Sequence, residues 1–82
     1  MESLPPEPGA SMIPERIRYA REIAGLSRRA LAMILECSEG AVYRWEQPAG
    51  HPDHRKPTGR RKIMLLRFVE TAEEEDMASR GP

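Results

Sequence analysis

The sequence predicts an all-α fold, a four-helix bundle with an extended last helix, and three observations predict it. Apolar residues recur at helical spacing in four separate stretches, between Ile13 and Ala24, Leu31 and Leu35, Val42 and Trp45, and Ile63 and Ala72. Ser27, Ser38 and Thr58 stand where helix N-caps belong, and Gly25 and Pro48 stand where helices stop. The stretch from Ser27 to Glu46, SRRALAMILECSEGAVYRWE, reads as a helix, a tight turn and a second helix.

Residues 1–12, MESLPPEPGASM, hold three prolines and a glycine without any periodic pattern, which predicts a disordered leader. Met12 stands just before the first ordered element and is an alternative start. The first helix begins near Pro14, whose missing N–H is harmless in a first turn, with Glu15 at the positive end of the helix dipole. Ile13, Ile17, Ala20 and Ala24 form its inner stripe, widened by Ile23, and Arg16, Arg18 and Glu22 point outward. Gly25 closes it by taking a left-handed conformation, and Leu26 packs back over the end.

Ser27 caps a second helix over about 28–35, with Leu31, Ile34 and Leu35 buried. Ala32 is the point where the next helix approaches closely. Ser38 caps a third helix from Glu39 to Glu46 or Gln47, ended by Pro48. Its Val42 and Trp45 face the core, which turns Glu39, Gly40, Tyr43 and Arg44 outward. Residues 47–57, QPAGHPDHRKP, are a loop. Thr58 caps a last helix over about 59–76, whose apolar residues Ile63, Met64, Leu65, Leu66, Phe68, Val69 and Ala72 make a stripe too wide for one small core. The tail from Glu73 is acidic and expected to fray, with residues 77–82 disordered. The single domain is then 13–76, around the motif at 27–46.

A chain of 82 residues buries only about 60% of the surface its unfolded form exposes, so its stability is marginal and oligomerisation would help. No apolar run reaches the roughly 18 residues of a membrane span, and no signal peptide is evident, which predicts a cytoplasmic protein. The lone Cys37 forms no internal disulfide and reads as a small core residue. The zero net charge is a separation of charges: residues 1–12 carry −2, 13–50 carry +1, 51–69 carry +5 and 70–82 carry −4. A basic block beside the motif suits phosphates, and the acidic tail keeps the chain soluble.

The stretch Arg21 to Ser27 (REIAGLS), Leu31-Ala32, Ser38, and Val42 followed by Arg44-Trp45-Glu46 resemble the phage repressor and Cro type of DNA-binding domain, the XRE family, over roughly Ile13 to Leu66. The resemblance implies a helix-turn-helix that lays its third helix in a DNA major groove and makes Arg28 a phosphate contact, with Glu39, Gly40 and Arg44 against base edges. It also implies a structural ion pair between Arg21 and Glu46. Three features depart from the family. Glu36 stands where the turn usually has glycine; the loop after the third helix is long and proline-rich; and one long fourth helix replaces two short ones.

Residue chemistry fits these roles. Arg44 can present a fork to guanine O6 and N7, against the plainer reading of a solvated helix charge. Tyr43 suits a base, a sugar or a phosphate, and Glu39 suits cytosine N4 or simply the positive helix end. Ser38, Arg28, Arg55, Lys56, Arg60, Arg61 and Lys62 complete a phosphate-contact set, the last three crowding a positive helix end where phosphate would relieve repulsion. Arg29 is a further cation on the second helix. His51, Asp53 and His54 have a spacing that invites a metal reading, but solvated loop histidines are the better account, and neither metal nor cofactor is expected.

The sequence therefore predicts a sequence-specific double-stranded DNA-binding regulator, a repressor acting by promoter occupancy, nucleoid-associated when bound. A homodimer through the last helix is expected, with no membrane partner and no small-molecule effector. The first rival is a protein-interaction module of the same fold, an antitoxin or adaptor that holds its partner with the last helix. An enzyme is disfavoured because no nucleophile, base and orienting group stand in a recognisable arrangement.

Overall fold

The computed structural model describes residues 13–80, which form four helices: α1 (Pro14–Ile23), α2 (Arg28–Ile34), α3 (Glu39–Glu46) and α4 (Gly59–Arg80). No strand occurs among the described residues. The expected leader at 1–12 and the last two residues lie outside them. α2 packs on α3, α1 packs on α4, and α1 also touches α3. All four helices feed one core of Ile17, Ala20, Leu31, Ala32, Leu35, Val42, Trp45, Leu65, Val69 and Ala72. Its six fully buried large side chains, Ile17, Leu31, Leu35, Val42, Leu65 and Val69, each gain about 1.5–3 kcal/mol from leaving water.

The helix starts of the central unit form as their serines predict. Ser27 Oγ accepts from the Ala30 N–H at 3.0 Å and Ser38 Oγ from the Ala41 N–H at 3.1 Å. Each such cap contributes about 1 kcal/mol. α1 and α2 stop in the same way. The Leu26 N–H reaches back to the Arg21 carbonyl (3.1 Å) and the Gly25 N–H to that of Glu22 (3.0 Å), around Gly25 at φ 72. After α2 the Cys37 N–H reaches Ala32 O (2.9 Å) and the Glu36 N–H reaches Met33 O (3.3 Å), around Glu36 at φ 57. These are Schellman closures, and the second places a carboxylate-bearing residue where glycine is comfortable, at a cost of about 1–2 kcal/mol. The turn keeps its shape and stability is what suffers.

Several sequence expectations are corrected. Ile13 is 51% exposed, because it is an extended residue before α1 and so falls off the helical period. Pro14 is buried instead. Ala24, the residue that ends α1, is exposed. Ile34 ends α2 at 52% exposure and Leu35 takes the inner place. Arg16 does not point to solvent: it holds Glu73 of α4 through Nε and Nη2, both at 2.8 Å. Thr58 caps α4 with its main chain, its carbonyl accepting from the Lys62 N–H at 3.3 Å, beside the left-handed Gly59.

The largest correction concerns α4, which neither frays at Glu73 nor stops at residue 76 but continues to Arg80. Its second half is held by α1. Besides the Arg16–Glu73 fork, the Tyr19 hydroxyl donates to Asp76 at 3.1 Å and Arg80 donates to the Tyr19 oxygen at 2.8 Å. Arg80 Nε also lies 3.2 Å from Asp76.

Candidate nucleic-acid interface

α3 is fixed by its inner face. Val42 and Trp45 are buried in the core, and Ala32, almost fully buried, lets α3 settle against α2. Glu39, Tyr43 and Arg44 are consequently exposed on the far side, with Gly40 half-buried among them. A Cβ at Gly40 would lie 3.3 Å from Arg44 Nη1, so the missing side chain leaves room for that guanidinium to fold back along the helix toward its N-terminal end. Arg44 makes no ion pair among the described residues, and neither does Glu39.

The base of α3 is anchored electrostatically. Arg21 and Glu46 pair as the resemblance implies: Nε meets Oε2 at 2.7 Å and Nη2 meets Oε1 at 3.1 Å, with Arg21 Nη1 bonded to the Leu26 carbonyl at 2.9 Å. The Glu46 side chain is 1% exposed. Its hydrogen bond to Glu46 holds the Arg21 guanidinium even more firmly protonated than usual. A second cation joins this pair. Arg28 Nε lies 3.1 Å from Glu46 Oε1, and its guanidinium carbon stands 5.5 Å from the centre of the Tyr43 ring. Two arginines share one carboxylate, so the cluster keeps a net positive charge, and Arg28 spans from the buried pair to the outer face of α3.

The phosphate-contact set divides accordingly. Arg28 is half-buried and bonded to Glu46 through Nε alone, which fixes its direction and leaves both Nη groups to donate. Arg55 Nη1 donates to the carbonyls of His54 (2.8 Å) and Pro52 (3.4 Å) in its own loop. Arg61 Nη2 donates to the Glu36 carbonyl at 2.7 Å and pins the start of α4 to the turn before α3. Carbonyls are neutral, so Arg55 and Arg61 retain their charge although their directions are set by the protein. Lys56, Arg60 and Lys62 are exposed, and their side chains make no ion pair or hydrogen bond among the described residues. The Ser38 hydroxyl is exposed while it caps α3. The basic groups at 55–62 are brought toward α3 by the loop, whose Arg55 N–H donates to the Arg44 carbonyl at 3.1 Å and whose Pro57 is buried.

The loop histidines are structural. His51 Nδ1 accepts from the Asp53 N–H at 3.0 Å, and His54 Nδ1 donates to the Gln47 carbonyl at 2.8 Å. No cluster of three or more metal-ligating side chains occurs among the described residues. Cys37 is half-buried against the core, and burial pushes its thiol above the usual range, opposed by the neighbouring Arg61. No described helix is long and apolar enough to cross a membrane.

Sequence reasoning missed the second arginine on Glu46, the Arg61 bond to the turn, and the polar seam between α1 and α4. Residues 18 to 61 positions apart make these contacts, and no local spacing signals them. Compared with protein-family models, curated proteins and solved structures, the chain matches none.

Proposed function

We propose that this chain is a sequence-specific double-stranded DNA-binding regulator of the repressor and Cro helix-turn-helix type, which represses by occupying a promoter. The observation that carries the reading is the outer face of α3. Tyr43 and Arg44 stand exposed beside Gly40 on a helix locked from behind by Val42, Trp45 and the Arg21–Glu46–Arg28 cluster. A short helix offering an unpaired arginine next to a position without a side chain suits close approach to base edges. Lys56, Arg60 and Lys62, with the charges of Arg55 and Arg61, suit the adjoining backbone, where contacts position the protein without reading sequence. Glu39 serves as a cytosine acceptor or as the favourable charge at the α3 N-terminus. The setting is cytoplasmic, on the nucleoid.

A fluorescence-anisotropy titration tests this, with the DNA upstream of the chain's own gene against scrambled DNA of equal length, at two salt concentrations. The expected result is a preference of about 10³-fold or more, with log affinity falling linearly in log salt. Arg44→Ala is expected to cost about 1–3 kcal/mol of discrimination while leaving the melting temperature unchanged. Equal, salt-sensitive binding to both DNAs would move the operator elsewhere. No binding to either by a folded protein would refute the reading and favour a protein partner.

A further inference from the structure

The outer face of α4 carries a second set of residues that the DNA reading leaves unused. Leu65, Val69 and Ala72 turn inward. Ile63, Arg67, Glu70, Glu74 and Met77 fall four, three, four and three residues apart, a single stripe on the opposite side. Its ends are apolar and open to water, Ile63 being 57% exposed and Met77 72% exposed. Arg67 and Glu74 are exposed between them and make no ion pair among the described residues, and Glu70 is half-buried at the middle.

This stripe is self-complementary when reversed. Laid antiparallel about a point beside Glu70, Ile63 of one copy meets Met77 of the other, and Arg67 meets Glu74. The apolar pair and the charged pair share the same centre to within half a residue, and each occurs twice by symmetry, as an isologous contact requires. The basic half of one helix then runs along the acidic half of its mate. The two half-buried Glu70 side chains meet at the centre, where each also feels Arg16 of its own α1 and has the mate's Arg67 about one turn away, which offsets their repulsion. We infer that α4 pairs with α4 of a second copy of this chain, antiparallel about Glu70, through Ile63 against Met77 and Arg67 against Glu74.

The dimensions bear on strength and use. A helix of 22 residues is about 33 Å long, and one helix face of that length is small beside the roughly 800 Å² per partner of a standard interface, so the pair belongs with the small, reversible contacts. Resting on the DNA reading for this step alone, the register sets Arg61, the residue fixed to the turn before α3, about 27 Å from its copy along the helix axis, on the scale of the ~34 Å between half-sites.

Sedimentation equilibrium of the full chain without DNA tests the pairing independently of any operator. The wild type is expected to dimerise at tens of micromolar. Arg67→Glu and Glu74→Arg should each weaken self-association at least tenfold while circular dichroism shows the native helix content, and R67E/E74R together should restore it. Ile63→Asp should weaken it in the same way. A wild type that stays monomeric at 100 µM, or folded single variants that dimerise as before, would overturn the inference. So would a double variant as weak as the singles, and in each case the DNA titration would stand unaffected.

Discussion

Replacing Arg21 with alanine removes two hydrogen bonds from a carboxylate that is 1% exposed and one from the Leu26 carbonyl. Stranding one partner of a buried ion pair costs about 3–5 kcal/mol. The structure argues for the lower end, because Arg28 Nε remains on Glu46 and keeps the carboxylate from being fully orphaned. A chain of this size has roughly 4–12 kcal/mol to lose, at 0.05–0.15 kcal/mol per residue, so about 3 kcal/mol is a large share of it. At about 4–8 °C per kcal/mol, Arg21→Ala should lower Tm by roughly 12–24 °C in a thermal circular-dichroism melt. Arg28→Ala should cost about 1 kcal/mol, because Arg28 makes one bond and is a third exposed. Arg21→Lys should fall between wild type and Arg21→Ala, since an ammonium keeps the charge but cannot offer the fork. An Arg21→Ala protein melting within 2 °C of wild type would refute the argument that Glu46 depends on this partner.

Three further outcomes follow from the geometry. Glu36→Gly should raise Tm by a few degrees, relieving about 1–2 kcal/mol of left-handed strain against an entropic loss of about 0.5–1 kcal/mol, and a lowered Tm would mean that the Glu36 side chain contributes more than its backbone costs. Ala32→Leu should destabilise by about 1–3 kcal/mol, because Ala32 is 3% exposed where α2 meets α3; native melting would contradict the close approach. The Arg16 fork holds the Glu73 carboxyl below its usual range, so its stabilisation is fully present above the unfolded value of about 4.3 and is lost as pH falls through the folded one. The Tm gap between wild type and Glu73→Gln should therefore be fully open at pH 7, begin to narrow as pH falls below about 4.3 and go on narrowing with further acidification, whereas a constant gap would show that the ion pair contributes nothing.

What could be read from the sequence and what could not separate by distance along the chain. The α2–turn–α3 unit was legible because its signals are local: two serine caps three residues ahead of the amides they accept from, an alanine at the crossing, and Val42 and Trp45 three apart. The outward placement of Glu39, Tyr43 and Arg44 followed from the same period. Ile13 and Ile34 show where local reading fails. Both fit the apolar pattern, yet each sits at a helix end where the chain has left the helix or is about to leave it, so the period no longer predicts which way a side chain points.

The second half of α4 is the instructive failure. Its run of acidic residues has the composition of a fraying tail and stands at the negative end of the helix dipole. It is held because α1 presents Arg16 and Tyr19 to Glu73, Asp76 and Arg80, across 57 to 61 residues of intervening chain. Those partners use one side of α4, toward α1. The same residues that extend the helix past Glu73 also order Glu74 and Met77 on the other side, and a frayed segment would present neither at a fixed spacing from Arg67 and Ile63. Breaking the seam from the α1 side therefore separates two consequences. Arg16→Ala together with Tyr19→Phe should fray the last two turns of α4, lowering helix content by several residues in circular dichroism, and should weaken self-association although neither substitution touches the outer stripe. Frayed ends with unchanged dimerisation would show that copies of the chain meet elsewhere, and intact ends would show that the seam is decoration on a helix stable without it.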